Sequence, residues 1–144
     1  MTADQFVRKY NRAAADIGLI HSVTLQPPEG TSDPQNCDVV ASGGGVSFLL
    51  SVENGLLYDL TVLAPVGGNV EACLVIFHLV MGIAAGISKK ACNGALRRLG
   101  FYDSRFLHGT KTRIRGYAAE VRVTTLLDMK HVMFQLLKQR GRSG

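Results

Sequence analysis

Six basic side chains lie within nineteen residues of the second half of the chain, close enough together to recognise an anionic partner. They are Arg97, Arg98, Arg105, Lys111, Arg113 and Arg115. Phe101, Tyr102 and Tyr117 are interspersed, as stacking residues are on proteins that bind single-stranded nucleic acid. Arg113 and Arg115 are two residues apart, so on a strand their charges would project from one face. The cluster has three interpretations: a solvated surface, a site for an acidic protein partner, or a nucleic-acid-binding site. The sequence contains no recognition helix or RNP signature, which counts against the third.

The histidines and cysteines show no spacing typical of a catalytic or metal site. None of the four histidines forms an i, i+4 pair or an HExxH motif. The three cysteines contain no CxxC, and no serine lies in GxSxG. We therefore predict no catalytic residue, no metal and no cofactor, and hence a non-enzymatic protein. An enzyme of unrecognised type is the alternative.

Two single residues have a chemical interpretation beside a structural one. His78 lies in an apolar run, where a neutral histidine with one hydrogen-bond partner is usual; a proton carrier would need a nearby carboxylate. Cys92 follows Lys89 and Lys90 near an expected helix start, which would lower the pKa of its thiol. The alternative for Cys92 is a small packing residue. We expect all three cysteines to be free and mostly buried.

The basic cluster, His78 and Cys92 are positioned by the fold of the chain. We expect the centre of this fold to be the apolar segment 72–87. As a helix this segment would rise about 24 Å, short of the ~30 Å hydrocarbon core of a bilayer. Apolar residues on every side predict a buried helix rather than a membrane span. Asn69 is the expected N-cap, and Glu71 lies in the first turn, where the helix dipole favours a negative charge. The β-branched pair Val75 and Ile76 keeps a strand as the alternative.

Two further helices are expected beside the buried one. Ser88 is suited to cap a second helix that runs through Leu99 and is stopped by Gly100, so the two helices would form a hairpin. Thr2 and Gln5 have the spacing of a capping box at the start of an N-terminal helix, which Gly18 ends. Its apolar stripe consists of Phe6, Tyr10, Ala13, Ala14 and Ile17.

Alternating apolar residues predict the strands. Residues 38–64 should form an antiparallel meander, with turns at glycines 43–45 and at Asn54-Gly55. Residues 111–125 should form a second hairpin that turns at Arg115-Gly116. Residues 19–26 are an expected strand, and 27–36 an exposed loop.

The element at 129–137 is ambiguous. Asp128 is suited to begin a helix, and the spacing of Met129, Val132, Met133, Leu136 and Leu137 agrees with one. Val132, Phe134 and Leu136 also alternate as a strand would. We favour the helix.

These elements predict one α+β domain over residues 1–137 and a basic, disordered tail over 138–144. Its antiparallel sheet should have about five to six strands and be covered on one face by the buried apolar helix, with N-terminal and hairpin helices beside it.

Charge is unevenly divided along the chain. Residues 1–72 carry eight acidic and three basic side chains, whereas residues 73–144 carry three acidic and thirteen basic ones. This division favours a charged partner, such as nucleic acid, an anionic surface or a second copy packed head to tail, unless the two halves interleave and cancel. The chain opens with polar residues and shows no export signal, so the expected compartment is the cytoplasm, or outside it if a signal segment has been removed.

Two resemblances concern the order of elements. The apolar helix, the break Gly86-Ile87-Ser88, and the run from Thr112 to Tyr117 resemble a group of small exported bacterial α+β proteins of uncharacterised function, over about residues 56–125. This resemblance implies a fold and a location outside the cytoplasm. The expected order of helix, three strands, helix, two strands and helix is similar to type III secretion chaperones, which are small acidic dimers that bind unfolded segments of effectors.

The expected function is binding to another protein or to a second copy. The charge division and the edges of a small sheet support it. The alternative is a nucleic-acid-associated protein that uses the basic cluster.

Overall fold

The computed structural model describes residues 1–18, 22–26, 33–65 and 70–139. In these residues the chain forms one antiparallel sheet of seven strands, three α-helices and a 3₁₀-helix at Arg105–His108. The helices are α1 (Ala3–Asp16), α2 (Val70–Ala85) and α3 (Lys89–Arg98). The strands are β1 (Thr24–Leu25), β2 (Cys37–Gly43), β3 (Val46–Glu53), β4 (Leu56–Pro65), β5 (Thr110–Ile114), β6 (Tyr117–Leu126) and β7 (Met129–Lys138).

The α+β class and the antiparallel sheet are as predicted, but the sheet has more strands than expected. Its order is β1-β2-β3-β4-β7-β6-β5, so the N-terminal half of the chain forms one side and the C-terminal half the other. The two sides join where β4 pairs with β7, with Asp59 opposite Leu137 and Pro65 opposite His131. The predicted strand at 19–26 is described only in part: β1 has two residues, and residues 19–21 lie outside the described chain.

Tight turns connect the hairpins at the predicted places. Gly44 and Gly45 have positive φ angles, as do Asn54 and Gly55. Two-residue turns of this hand match the twist of the flanking strands, which is why Asn-Gly is favoured there. Arg115 and Gly116 turn in the same way between β5 and β6. The predicted loop at 27–36 is described only from residue 33.

The predicted buried helix is confirmed as α2, although its solvent side is less covered than expected. Phe77 is fully buried, and its ring stacks on Phe134 of β7 with centroids 4.7 Å apart. Val75, on the other side of the helix, is 38% exposed. Phe6 of α1 packs on Phe48 of β3, and α3 contacts β5, so the three described α-helices together cover the sheet. The expected cap Asn69 lies outside the described residues.

The flanking helices begin as predicted. Thr2 and Gln5 form the capping box of α1, and the Ser88 hydroxyl accepts a hydrogen bond from the Ala91 amide at the start of α3. Gly100 follows α3 with a φ of +82°. Ile17 of the predicted apolar stripe is exposed instead, because α1 ends at Asp16. No helix among the described residues is by itself long and apolar enough to cross a membrane; α2 and α3 reach that criterion only together, across a bend of 119°.

The preference for a helix at 129–137 is wrong: these residues form β7. Asp128 does not begin a helix; with Leu127 it forms a turn of positive φ between β6 and β7. β7 lies between β4 and β6, where Val132 and Phe134 are fully buried. Pairing on both sides satisfies the backbone and buries the alternate residues, which outweighs a weak local helical pattern. The strand includes Lys138, and residues 140–144 of the predicted tail lie outside the described chain.

Candidate functional site

The seven-stranded sheet has two very different faces. Side chains alternate along each strand, so every strand sends one set toward the helices and the other set away from them. The helix-facing set includes Phe48, Leu50, Leu60, Val62 and Phe134, all at most 1% exposed. We call the opposite surface the open face, and none of the three described helices packs on it.

Strand pairing arranges the open face in rows that cross the sheet. The central row runs Val40, Leu49, Thr61, Gln135, Glu120 and Lys111. A second row, on one side of it, runs Asp38, Ser51, Asp59, Leu137, Ala118 and Arg113. A third, on the other side, runs Ser42, Ser47, Leu63, Met133 and Arg122.

Apolar side chains occupy much of the open face. Val40 is 39% exposed and Leu49 45%, although both lie on strands inside the sheet. Leu63, Met133 and Leu137 are half-buried. A single exposed apolar residue is ordinary, but several on neighbouring strands form a patch typical of an interaction surface.

The side of the open face formed by β2, β3 and β4 is acidic. Asp38 is exposed, and Asp59 lies two strands away with Ser51 between them. Gln135 of β7 donates from Nε2 to both carboxylate oxygens of Asp59, at 3.0 and 3.2 Å. Asp38 and Glu53 also line a depression of about 530 Å³ at this end.

The side formed by β5 and β6 is basic. Lys111 and Arg113 are exposed on the edge strand β5, and Arg122 is exposed on β6. Arg122 donates to Glu120 at 2.6 Å, so one of the three positive charges is neutralised within the face. Lys111 and Arg113, with Ala118 and Leu137, line a depression of about 390 Å³.

The six predicted binding residues do not form one surface. Only Lys111 and Arg113 lie on the open face. Arg97 and Arg98 belong to α3, which lies on the helix-covered face of the sheet, and Arg105 begins the 3₁₀-helix.

Three of the arginines are engaged within the domain. Arg98 donates to the Thr112 hydroxyl at 2.9 Å and to the Arg113 carbonyl at 3.3 Å. Arg105 forms a salt bridge of 2.8 Å with Asp103. Arg115 donates to the Gly86 carbonyl at 3.3 Å, from the turn after β5. The expectation that Arg115 and Arg113 share a strand face is therefore wrong.

The histidine and cysteine singled out in the sequence have structural surroundings. His78 Nε2 lies 2.9 Å from the Asn93 Oδ1 of α3, which ties the two helices together. Burial raises the pKa of the Cys92 thiol, opposite to the lowering expected from its lysine neighbours. Burial also raises the pKa of Cys73, and all three cysteines are free. Within the described residues no three His, Cys, Asp or Glu side chains come together as metal ligands.

The acidic side of the open face was missed in the sequence. Asp38 and Asp59 occupy outward positions of predicted strands, and no motif marks them. The available signal was subtler: Val40, Leu49 and Leu63 also take outward positions, where a solvated strand would carry polar residues.

Comparison with known proteins found no matching family model, no matching curated protein and no matching solved structure. The function of the chain must therefore be inferred from the geometry and chemistry of the open face.

Proposed function

We propose that this protein is a non-enzymatic protein-binding module and that the open face of its sheet is the binding surface. The observation that carries the proposal is the exposure of Val40 and Leu49 on interior strands of a face that also carries Asp38 toward one edge and Lys111 and Arg113 at the other. Apolar residues inside a charged rim are the usual composition of a protein–protein interface.

The size of the open face suits such an interface. Six strands about 4.8 Å apart and about eight residues long at ~3.3 Å per residue give a face of roughly 750 Å². Standard interfaces bury about 800 Å² per partner. Each Å² of apolar surface removed from water contributes about 25 cal/mol, so the exposed part of Leu49 alone would favour association measurably.

The sheet edges are less suited to binding than the face. In the described chain β1 has only two residues. The opposite edge strand, β5, carries the charges of Lys111 and Arg113. Arg98 also donates a hydrogen bond to the backbone carbonyl of Arg113 on this strand. Charges and short strands at an edge discourage the addition of another strand. The proposed mode is therefore contact between faces rather than extension of the sheet.

Nucleic-acid binding is less favoured. A phosphate backbone follows a continuous positive surface. The basic residues of this protein are instead divided between the open face and the helix-covered face of the sheet. Asp38 and Asp59 would repel phosphates from the rest of the open face.

Site-specific photo-cross-linking tests the proposal. We would place benzoylphenylalanine at position 49 on the open face or, as a matched control, at position 97 on α3. We expect protein cross-links from position 49 only. The protein identified, purified in turn, should bind wild-type chain and lose at least about tenfold in affinity with Leu49→Lys, because that change puts a charge into an apolar interface. Arg97→Asp should leave this affinity unchanged.

Three results would overturn the proposal. They are cross-links to nucleic acid in place of protein, equal cross-linking from both positions, and no cross-link from position 49 at all. Binding to heparin or DNA that collapses between about 50 and 200 mM salt would support the nucleic-acid alternative instead.

A further inference from the structure

Resting on the proposed function, we infer that the partner of the open face is a second copy of this chain, related by a two-fold axis that runs parallel to the strands. The inference comes from how charge is arranged across the face. Its β2–β4 side carries Asp38 and Asp59, and its β5–β6 side carries Lys111 and Arg113 together with the Arg122–Glu120 pair.

The two ends of the open face are far enough apart to act separately. Asp38 and Arg113 are terminal members of the same row, six strands wide. At about 4.8 Å per strand their backbones lie roughly 24 Å apart, beyond the ~8 Å Debye length at physiological salt. Each end therefore presents its own sign of charge to a partner.

Charge selects one of two possible symmetric arrangements. When two sheets face each other across a two-fold axis, that axis lies between them, either along the strands or across them. An axis across the strands would place each acidic side over the acidic side of the second copy. An axis along the strands reverses the strand order, so that each acidic side lies over a basic side. Only the second arrangement is attractive at both ends.

The arrangement also matches individual residues. With the axis between β4 and β7, β2 lies over β5 of the second copy, β3 over β6, and β4 over β7. Asp38 then faces Arg113 of the second copy, twice by symmetry. In the two central strands Leu63 faces Met133 and Thr61 faces Gln135, so apolar and polar neighbours are paired there. Further out, Leu49 lies over Glu120 and Val40 over Lys111 of the second copy.

The geometry is that of aligned sheet packing. Two sheets packed face to face lie about 10 Å apart, with strands within about 30° of each other. This spacing lets Leu63 and Met133 interdigitate near the centre, while the long side chain of Arg113 reaches a carboxylate at the rim. The roughly 750 Å² of each face is close to the ~800 Å² that each partner contributes to a standard dimer.

Charge reversal tests the pairing. Sedimentation equilibrium would be measured for wild type, Asp38→Arg, Arg113→Asp and the double variant, with Arg97→Asp on α3 as the control. We expect a wild-type dimer and a dissociation constant raised at least about tenfold by each single reversal, since each creates two like-charge contacts. The double variant restores attraction at both contacts and should return to within a few-fold of wild type. Arg97→Asp should have no effect.

Mixing provides a second measurement that does not depend on the double variant. Asp38→Arg and Arg113→Asp, each weakened alone, should form a heterodimer when mixed, because both of its charge contacts are attractive. Thermal unfolding of each variant confirms that it is folded.

Several results would overturn the inference. One is that the wild-type protein is a monomer at about 1 mM. Another is that the single charge reversals leave the dissociation constant of the dimer unchanged. The third is that the dimer is recovered neither in the double variant nor in the mixture of the two single variants. A monomer that still cross-links from position 49 to a different, validated protein would overturn this inference and leave the proposed function standing. A chain without any protein cross-link from position 49 would overturn both.

Discussion

The two faces of the sheet are made from the same strands and yet have opposite physical character. On β7 the neighbours Phe134 and Met133 point to opposite sides: Phe134 is fully buried against Phe77, and Met133 lies half-buried on the open face. The helix-covered face holds the aromatic and aliphatic core, which provides the stability of the fold. The open face combines apolar residues with charges of both signs, which a core would exclude. Stability and the proposed binding are thus separated by the alternation of the β-strand.

The largest expected effect tests this separation on β7 itself. Phe134→Ala should lower the free energy of unfolding by about 3–5 kcal/mol, because it leaves a cavity beneath α2. Met133→Ala, one residue away, should lower it by less than about 1 kcal/mol. Urea unfolding at micromolar concentration measures both. Similar losses would mean that the two faces contribute equally to stability.

The helix-covered side should also set the alkaline limit of stability. Tyr10 is 2% exposed, and burial raises the pKa of its phenol from 10.0 to about 12. A raised pKa means that the stabilisation is complete below about pH 10 and is lost as the pH rises toward 12. The loss from this group should be about 2–3 kcal/mol, since each pKa unit corresponds to about 1.4 kcal/mol.

Tyr10→Phe is the matched variant for this measurement. It should flatten the fall in unfolding free energy between pH 10 and 12, relative to wild type. Burial also raises the pKa of Tyr117 and of the Cys73 and Cys92 thiols, so some alkaline dependence should persist in Tyr10→Phe. An unchanged pH profile in Tyr10→Phe would contradict the assignment.

A smaller effect separates two adjacent arginines of α3. Arg98→Ala should cost about 1 kcal/mol, because it removes hydrogen bonds to the Thr112 hydroxyl and the Arg113 carbonyl. Arg97→Ala should change stability by less than about 0.5 kcal/mol. Amide hydrogen exchange in β5 is the specific readout: only the Arg98 variant should accelerate it. Equal acceleration would show that α3 does not hold this edge through Arg98.

The smallest effect concerns the β6–β7 turn. Leu127 and Asp128 have φ angles of +51° and +62°, and Leu127 is 96% exposed. Because Asn-Gly adopts this conformation with less strain, Leu127→Asn with Asp128→Gly should stabilise the protein by about 1 kcal/mol. Thermal unfolding measures the gain. Replacing Asn54 by Leu and Gly55 by Asp should lower the stability by at least as much. If the Asn-Gly variant of the β6–β7 turn is instead destabilised, contacts other than the backbone conformation of the turn must hold it.

The elements whose signals are local could be predicted from the sequence. The capping box at Thr2, the Ser88 cap and the Asn54-Gly55 turn each depend on groups within four residues, and all are observed. The apolar segment correctly indicated the buried helix. The prediction failed at β7, whose local pattern fitted two structures and whose turn lacks glycine.

The candidate site was predictable only in small part. Two of the six basic residues lie on the open face, because the others were grouped by nearness in sequence and not in space. The division of charge along the chain proved to be a division across the sheet, since each half of the chain builds one side of it.

The sequence by itself determined which residues alternate, where helices start and where hairpins turn, because these depend on neighbours a few residues apart. Only the tertiary structure decided that β7 lies between β4 and β6, and that the three described α-helices cover the same face. The contact between Asp59 and Gln135 joins residues 76 positions apart, a separation that no local pattern encodes. Such pairings form when distant segments come together, hydrogen-bond their backbone groups and bury apolar surface in one step. They also decide which face of the sheet remains open.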